Sequence, residues 1–441
     1  MGTSAQVLPT IDPKMADNTQ PNLKEDENAL KTPSSDGNSA VTSDSKKSRL
    51  KRRVNIGICT ESLFLTMAMC MEMFPEPAHH PESDSPKTVD QSSNSYRKIG
   101  CVLVHQKGYI VAVDRSREGV HGVARLLVKH HDKTMGCSVY ISRKPCPYCS
   151  KLLAKSGVTS ITYPPAETEF YNEKEERRVD TLLNACGITQ TVLVPQMKGY
   201  SGTPTEEQQQ SFSKGIPFSD IQEYTENVLR RFWSKERVKH LICESTEQTY
   251  SQFENLVKWM AQIHISLTCS KLRCSGYDFT GERELGSFDP ENNLYQEQIA
   301  KHLLGLASMT IQATVEPKTG VGCVILKGDD VVAIGWNDFP SQKIEEEFHD
   351  SSDLERDNKY PFFVHAEQNA LLRCNVADIS GSTLFVTKMP CHECTPLVKV
   401  AGIGTVVLAT SLEPVTEKYK LNYEVFRQEV RKGSFICYEL I

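Results

Sequence analysis

Two short stretches carry residues able to do chemistry together. Val364-His365-Ala366-Glu367 supplies an imidazole and a carboxylate, and Pro390-Cys391-His392-Glu393-Cys394 supplies two thiols. Thiolates separated by two residues can grip one zinc ion, and His365 adds a third ligand. Three protein ligands leave the fourth tetrahedral position open, which is the catalytic rather than the structural arrangement. Zinc lowers the pKa of bound water towards about 7. If His365 opens a helix, Glu367 lies just beyond it, where a carboxylate can accept that proton.

The pattern H-x-E … P-C-x-x-C is the established signature of zinc nucleobase deaminases, in which the glutamate passes the proton to a departing amine. A lone C-x-x-C reads more readily as a structural zinc site. Here the proline before Cys391, the His-Ala-Glu tripeptide and their separation fit together.

Certain elements must hold these residues. Residues 294–312 read as a helix with Tyr295, Ile299, Leu303 and Leu306 on one face. Residues 321–326 and 331–335 read as a hairpin, 365–374 as a helix, 384–387 as a strand, Cys391 as the opening of a helix, and 405–409 as a strand. The same order occurs earlier: a helix over 60–74 with Thr60 at its N-cap and Pro75 as stop, a hairpin of 99–104 and 109–113 around Gly108, a helix over 121–131, a strand at 138–142, a helix from the Pro145-Cys146 turn to Gly157, and strands at 160–163 and 191–194. Letters repeat as well. Gly100-Cys101-Val102 matches Gly322-Cys323-Val324, and Gly136 and Gly381 each stand ten residues before a C-x-x-C cysteine. The chain therefore reads as two modules of one ancestry.

The modules differ at one decisive position. His121, Cys146 and Cys149 repeat the zinc ligands, but Val123 stands where the second module has Glu367. Valine carries no proton. The expectation is one catalytic zinc in the second module and one structural zinc in the first, the alternative being a first module that has lost its ion along with the carboxylate.

The divisions expected are a disordered tail with a basic cluster (1–54), a degenerate, pseudo-catalytic module (55–195), a helical spacer (196–290) and a catalytic module (291–441). Residues 75–95 and the polar run 203–210 read as loops. The basic cluster 46–53 fits either a nuclear import signal or a solvated linker. In the spacer, Ile221, Tyr224, Val228 and Phe232 fall at helical spacing, as do Phe253, Leu256, Val257, Met260 and Ile263. Arg230, Arg231, Lys235 and Arg237 form a basic helical stretch read as solvated. Across 441 residues the net charge is −6, with 24% charged residues, which argues against a general nucleic-acid surface. No run of about eighteen apolar residues suggests a membrane span, and the N-terminal residues lack a secretion-signal pattern. A cytoplasmic, possibly nuclear, location is expected. Fifteen cysteines in this setting point to metal rather than disulfides; Cys59, Cys70, Cys101, Cys137, Cys323 and Cys374 read as reduced core residues.

With these residues in view, the chain resembles the cytidine/deoxycytidylate deaminase superfamily. The carrying residues are 335–340, the run 357–370 with His365, Ala366 and Glu367, and Pro390-Cys391-His392-Glu393-Cys394. The resemblance covers roughly 55–195 and 290–441. It implies an α/β fold of tandem three-layer domains, each a five-stranded mixed sheet flanked by helices, with zinc where two helix N-termini meet. It further implies that Glu367 shuttles protons to cytosine N3 and the departing ammonia, that the Ala366 backbone reads the base, and that Asn337 bonds the sugar. Ser116 takes the position of Asn337 in the first module. Family members usually carry Gly where Asp338 stands, and the stretch 343–357 is acidic, which leaves the phosphate state of the substrate open.

The leading function is zinc-dependent hydrolytic deamination of a free cytosine deoxynucleotide, dCMP or dCTP, in pyrimidine nucleotide metabolism. Homo-oligomers and nucleotide effectors such as dCTP and dTTP follow from the resemblance alone. The alternatives are a cytosine deaminase acting on single-stranded RNA or DNA, which the lack of a basic, aromatic-interleaved stripe disfavours, and a non-enzymatic zinc scaffold. The zinc pattern alone does not separate cytosine from adenine.

Overall fold

A computed structural model describes residues 57–77, 96–169, 173–198, 217–241, 246–275, 288–314, 320–340, 362–412 and 422–441. The expected tail, the polar run 203–210 and the acidic stretch 343–357 lie outside the described residues, as does most of the loop 75–95.

The N-terminal module runs β1 (Gly57–Ile58), α1 (Thr60–Glu72), β2 (Gly100–Val104), β3 (Ile110–Arg115), α2 (Gly122–Lys129), β4 (Ser138–Ile141), α3 (Pro147–Ser156), β5 (Ser160–Tyr163), α4 (Glu173–Ala185), β6 (Thr189–Val192) and β7 (Met197–Lys198). The spacer supplies α5 (Phe218–Phe232), α6 (Lys235–Leu241), α7 (Thr246–Thr268) and β8 (Leu272–Cys274). The C-terminal module runs α8 (Leu294–Thr310), β9 (Gly322–Lys327), β10 (Asp330–Trp336), α9 (Ala366–Leu372), β11 (Thr383–Val386), α10 (Cys394–Val400), β12 (Thr405–Leu408), α11 (Glu424–Arg431) and β13 (Ile436–Leu440).

The two sheets share a topology. Strand order is β3-β2-β4-β5-β6 in the first and β10-β9-β11-β12-β13 in the second, where β8 adds a sixth strand. Each begins with an antiparallel hairpin and continues with parallel strands. The extra strand pairs antiparallel with β13, Leu272 opposite Leu440, and covers an edge that would otherwise expose unpaired backbone groups. Helices α4 and α11 and strand β13 were not among the expected elements. Parallel pairing explains the helices: β5 to β6 and β12 to β13 cannot be joined by a tight turn and need a crossover segment. Small details also repeat. The Ser142 hydroxyl accepts the Gly100 amide at 3.0 Å, and the Thr387 hydroxyl accepts the Gly322 amide at 3.0 Å.

Side chains alternate along the central strands, as strand geometry requires, but both faces are buried. Val102 and Val104, and Val324 and Leu326, enter one core shared by the two modules, to which α1, α8, α5 and α7 contribute. Cys101 and Leu103 turn to a second core under α2 and α3. Cys323 and Ile325 turn to a third core under α9 and α10. Each candidate metal group therefore sits on the outer face of its own sheet, while the inner faces weld the modules together. Both belong to one compact unit, Val54–Ile441.

Polar contacts reinforce that weld. Asp330, the first residue of β10, accepts from Arg125 at 3.3 Å and Lys129 at 2.8 Å. Arg143 and Arg231 both bond the buried carboxylate of Glu72, and Arg237 reaches Glu176 at 3.1 Å. Arg231 and Arg237, expected to be solvated, instead tie the spacer to the N-terminal module. Two further expectations shift. Cys59, not Thr60, is the N-cap of α1 and is exposed, with its thiol donating to the Ser62 hydroxyl. Cys374 is only partly buried. Among the described residues the cysteines are unpaired, and no helix is long and apolar enough to cross a membrane.

Candidate metal centres

Each centre is assembled at helix starts. In the N-terminal module His121 is the N-cap of α2 and Cys146 the N-cap of α3, with Pro147 in the first turn pre-setting the helical backbone. In the C-terminal module His365 is the N-cap of α9. Cys391, expected to open a helix, instead precedes a turn, and α10 starts at Cys394. Unpaired N–H groups at helix starts favour thiolates.

The C-terminal group is compact. His365 Nδ1 lies 3.3 Å from Cys391 Sγ and 3.2 Å from Cys394 Sγ. Ligand atoms around a tetrahedral zinc with bonds of about 2.0–2.3 Å stand roughly 3.3–3.8 Å apart, so this trio fits the ion. Donation from the Cys394 thiol, with help from His365, pulls the Cys391 pKa down to about 4, so its sulfur is a ready thiolate.

Glu367 follows in the first turn of α9 and is buried, 4% exposed. Burial pushes its pKa from the ordinary carboxylate value up to about 7, and its neighbours include Cys391, His365 and the Cys394 thiol. A carboxyl near neutrality can both take and give a proton. The Ala366 carbonyl accepts from the Cys323 thiol at 3.1 Å, and its N–H stands in the first turn of α9, where helix geometry supplies no intrahelical acceptor. Asn337 follows β10, and its Oδ1 is buried without a hydrogen-bond partner.

The equivalent corner of the N-terminal module is used differently. The Ser116 amide donates to Ile99 O as the Asn337 amide donates to Val321 O, which confirms the correspondence. The Ser116 hydroxyl, however, accepts from the Ile99 and Gly122 amides, both at 3.1 Å. Backbone bridges Arg117–Val120 and Asp338–Val364 also correspond. Only Glu118 and Gly119 lie inside the first, whereas residues 339–363 lie inside the second. Val123 is fully buried in the core under α2.

His121, Cys146 and Cys149 come together as expected, with His121 Nδ1 3.4 Å from Cys146 Sγ. Glu169, which no sequence pattern singled out, joins them. Its Oε1 lies 2.6 Å from His121 Nδ1, and its Oε2 accepts the Cys146 amide at 2.7 Å. Tyr96 stacks on the His121 ring at 4.0 Å. In the C-terminal module Tyr423 was likewise missed; burial, then the charges of Cys391, Glu367 and Cys394, raise its pKa.

A family model described as the cytidine and deoxycytidylate deaminase zinc-binding region matches residues 297–410. The deoxycytidylate deaminase of Mus musculus is 31% identical over 146 residues, which cover 31% of this chain and 82% of that one. This chain belongs to the cytidine and deoxycytidylate deaminase family. The Danio rerio cytidine and dCMP deaminase domain-containing protein 1 is 24% identical over 425 residues, covering 83% of this chain and 87% of its own. Among solved structures, a dCMP deaminase from cyanophage S-TIM5 in complex with dCMP and dUMP is 26% identical, covers 32% of this chain and 96% of that chain, and has a TM-score of 0.25. The matched zinc-binding region contains His365, Cys391 and Cys394, and supports zinc as the ion of that group.

Proposed function

We propose that the C-terminal module hydrolytically deaminates a free cytosine deoxynucleotide, such as dCMP or dCTP, to the uracil nucleotide and ammonia. The observation that carries this reading is the buried Glu367 carboxyl set against the His365–Cys391–Cys394 trio. Deoxycytidylate deaminases among the relatives support the substrate class.

In this reading His365, Cys391 and Cys394 hold zinc. Bound there, zinc supplies the Lewis acidity that makes water a nucleophile near neutral pH. Glu367 would take one proton from the attacking water and place it on cytosine N3, then take the remaining proton from the hydroxyl added at C4 and deliver it to the amine as the C4–N bond breaks and the C4 carbonyl forms. Burial keeps its pKa near the working pH, where such exchange is most effective. The Ala366 N–H donates to the base, and the unpartnered Asn337 oxygen accepts from a sugar hydroxyl. Residues 55–195 form a pseudo-catalytic module, because Val123 cannot replace Glu367 and Ser116 is committed to the backbone; 291–441 carry the chemistry, and 196–290 join the two.

The test is to incubate the full chain with cytidine, deoxycytidine, and their mono- and triphosphates, following loss of the 4-amino group. Release of ammonia from a deoxynucleotide, absent in Glu367→Ala, is the expected result. Undiminished turnover by Glu367→Ala would remove the assignment, and inertness towards every free nucleotide would remove the substrate class.

A further inference from the structure

We infer that Glu169 is the fourth protein ligand of the N-terminal centre, which makes it a closed structural zinc site and not merely a catalytic site without its base. This rests on zinc being the ion of the C-x-x-C centres. His121 Nδ1, Cys146 Sγ, Cys149 Sγ and a Glu169 carboxylate oxygen all lie within 4.8 Å of one another. Among the described residues, the C-terminal group offers only three such atoms.

The geometry separates a ligand from a supporting residue. A group that merely orients a metal-bound histidine bonds the ring nitrogen facing away from the ion. Glu169 Oε1 instead meets His121 Nδ1, the nitrogen that faces Cys146 Sγ, and lies 3.8 Å from Cys149 Sγ. The Cys146 amide holds the other oxygen, Oε2, and so fixes which oxygen points inward. The backbone is pinned too: the Glu169 amide donates to Lys144 O at 3.0 Å, and its carbonyl accepts from the Arg97 amide at 2.9 Å. The residue is 0% exposed. A fully buried carboxylate is costly unless a cation or coordinated metal compensates it; among the described residues its side chain meets no Lys or Arg, and His121, itself one of the candidate ligands, is its one ion-pair partner. Tyr96 stacks on the His121 ring and so holds it in place. Two thiolates, one imidazole and one carboxylate complete a tetrahedral zinc shell, as structural sites require.

The test compares zinc release from the full chain and its variants to a chromogenic chelator. Two ions per chain are expected in the wild type, one exchanging readily and one slowly. Glu169→Gln keeps the shape and the acceptor for the Cys146 amide but replaces the carboxylate with a poor zinc ligand. It should release the slow ion more than about a hundredfold faster, beyond the roughly tenfold to hundredfold that loss of an outer partner costs, while Glu169→Cys, which restores a ligand, should recover slow release. Release from Glu169→Gln as slow as from the wild type would overturn the inference.

A second measurement needs no variant. In the cobalt-substituted wild-type chain, azide should perturb the visible bands of one ion only, because a closed shell admits no outside ligand. Azide shifting both would overturn the closed shell. A chain holding a single ion, unaffected by His121→Ala, would refute this inference and leave the catalytic reading standing. A chain holding no ion would refute both.

Discussion

The two modules share strand order, helix starts and a His-Cys-Cys trio, yet differ in where one carboxylate stands. In the C-terminal centre Glu367 sits two residues after the histidine, beside the trio and near neutrality. In the N-terminal centre that position is buried valine, and a carboxylate returns from Glu169 into the ligand group itself. The same functional group beside an open centre can move protons; within the group it can only hold metal. The surrounding polar residues follow the same division: Asn337 offers a free acceptor, and Ser116 gives its hydroxyl to backbone amides.

The largest expected effect comes from Glu367→Gln. Removing a general acid–base should lower kcat by about 10²–10⁴-fold with zinc content unchanged. Adding Val123→Glu to that variant should restore nothing, measured as ammonia release, because Glu169 already fills the N-terminal centre. Recovery of turnover would break the comparison at its root.

Gly335→Ala should be the next largest. A Cβ there would stand 2.3 Å from Ala366 O and 2.7 Å from the Ala370 amide, so α9 must shift, costing roughly 1–3 kcal/mol and moving Glu367. Gly122→Ala meets the Ile99 carbonyl at 2.8 Å and should lower stability similarly. It should leave kcat/KM of the folded enzyme intact. Thermal melts with parallel kinetics separate these outcomes.

Asn337 and Ser116 offer a finer contrast. Asn337→Ala should raise KM about tenfold, the value of one hydrogen bond of roughly 1.4 kcal/mol, with little change in melting temperature. Ser116→Ala should leave two buried amides without an acceptor and cost about 1–3 kcal/mol of stability, with KM unchanged. Equal effects on both quantities would mean that Asn337 is structural.

The smallest effect concerns the seam between modules. Burial alone would raise the Asp330 pKa, but the Lys129 bond and the Lys129, Arg117 and Arg125 charges lower it on balance. A carboxylate pKa depressed by folding adds stability that is present above the unfolded value and lost as pH falls through the folded one. Asp330→Asn should therefore cost under about 1 kcal/mol at pH 7, and the difference from wild type should fade as pH drops below roughly 4. Urea titrations at the two pH values measure it.

Much of both centres was legible before any coordinates. His365, Glu367, Cys391 and Cys394 lie in short motifs whose spacing is a direct consequence of chelation, and comparing the repeats exposed His121, Cys146, Cys149 and Val123. Hairpins were legible because apolar runs flank a glycine turn. The crossover helices were not. The segment 173–185 is rich in Glu, Lys and Arg with few apolar anchors, and its necessity appears only once β5 and β6 are known to be parallel. Likewise β8 is three residues long, and a strand that short is defined by its partner β13.

By itself, the sequence determined that two related modules exist, that each carries a His-Cys-Cys trio, and that only one retains a carboxylate two residues after its histidine. These properties are set by residue type and by spacing within short motifs and their repeat along the chain. Tertiary structure alone decided that Glu169 enters the N-terminal group, 48 residues from His121, and that the inner faces of both sheets merge into one core. Such contacts depend on chain crossings between distant segments, and no short-range pattern encodes them.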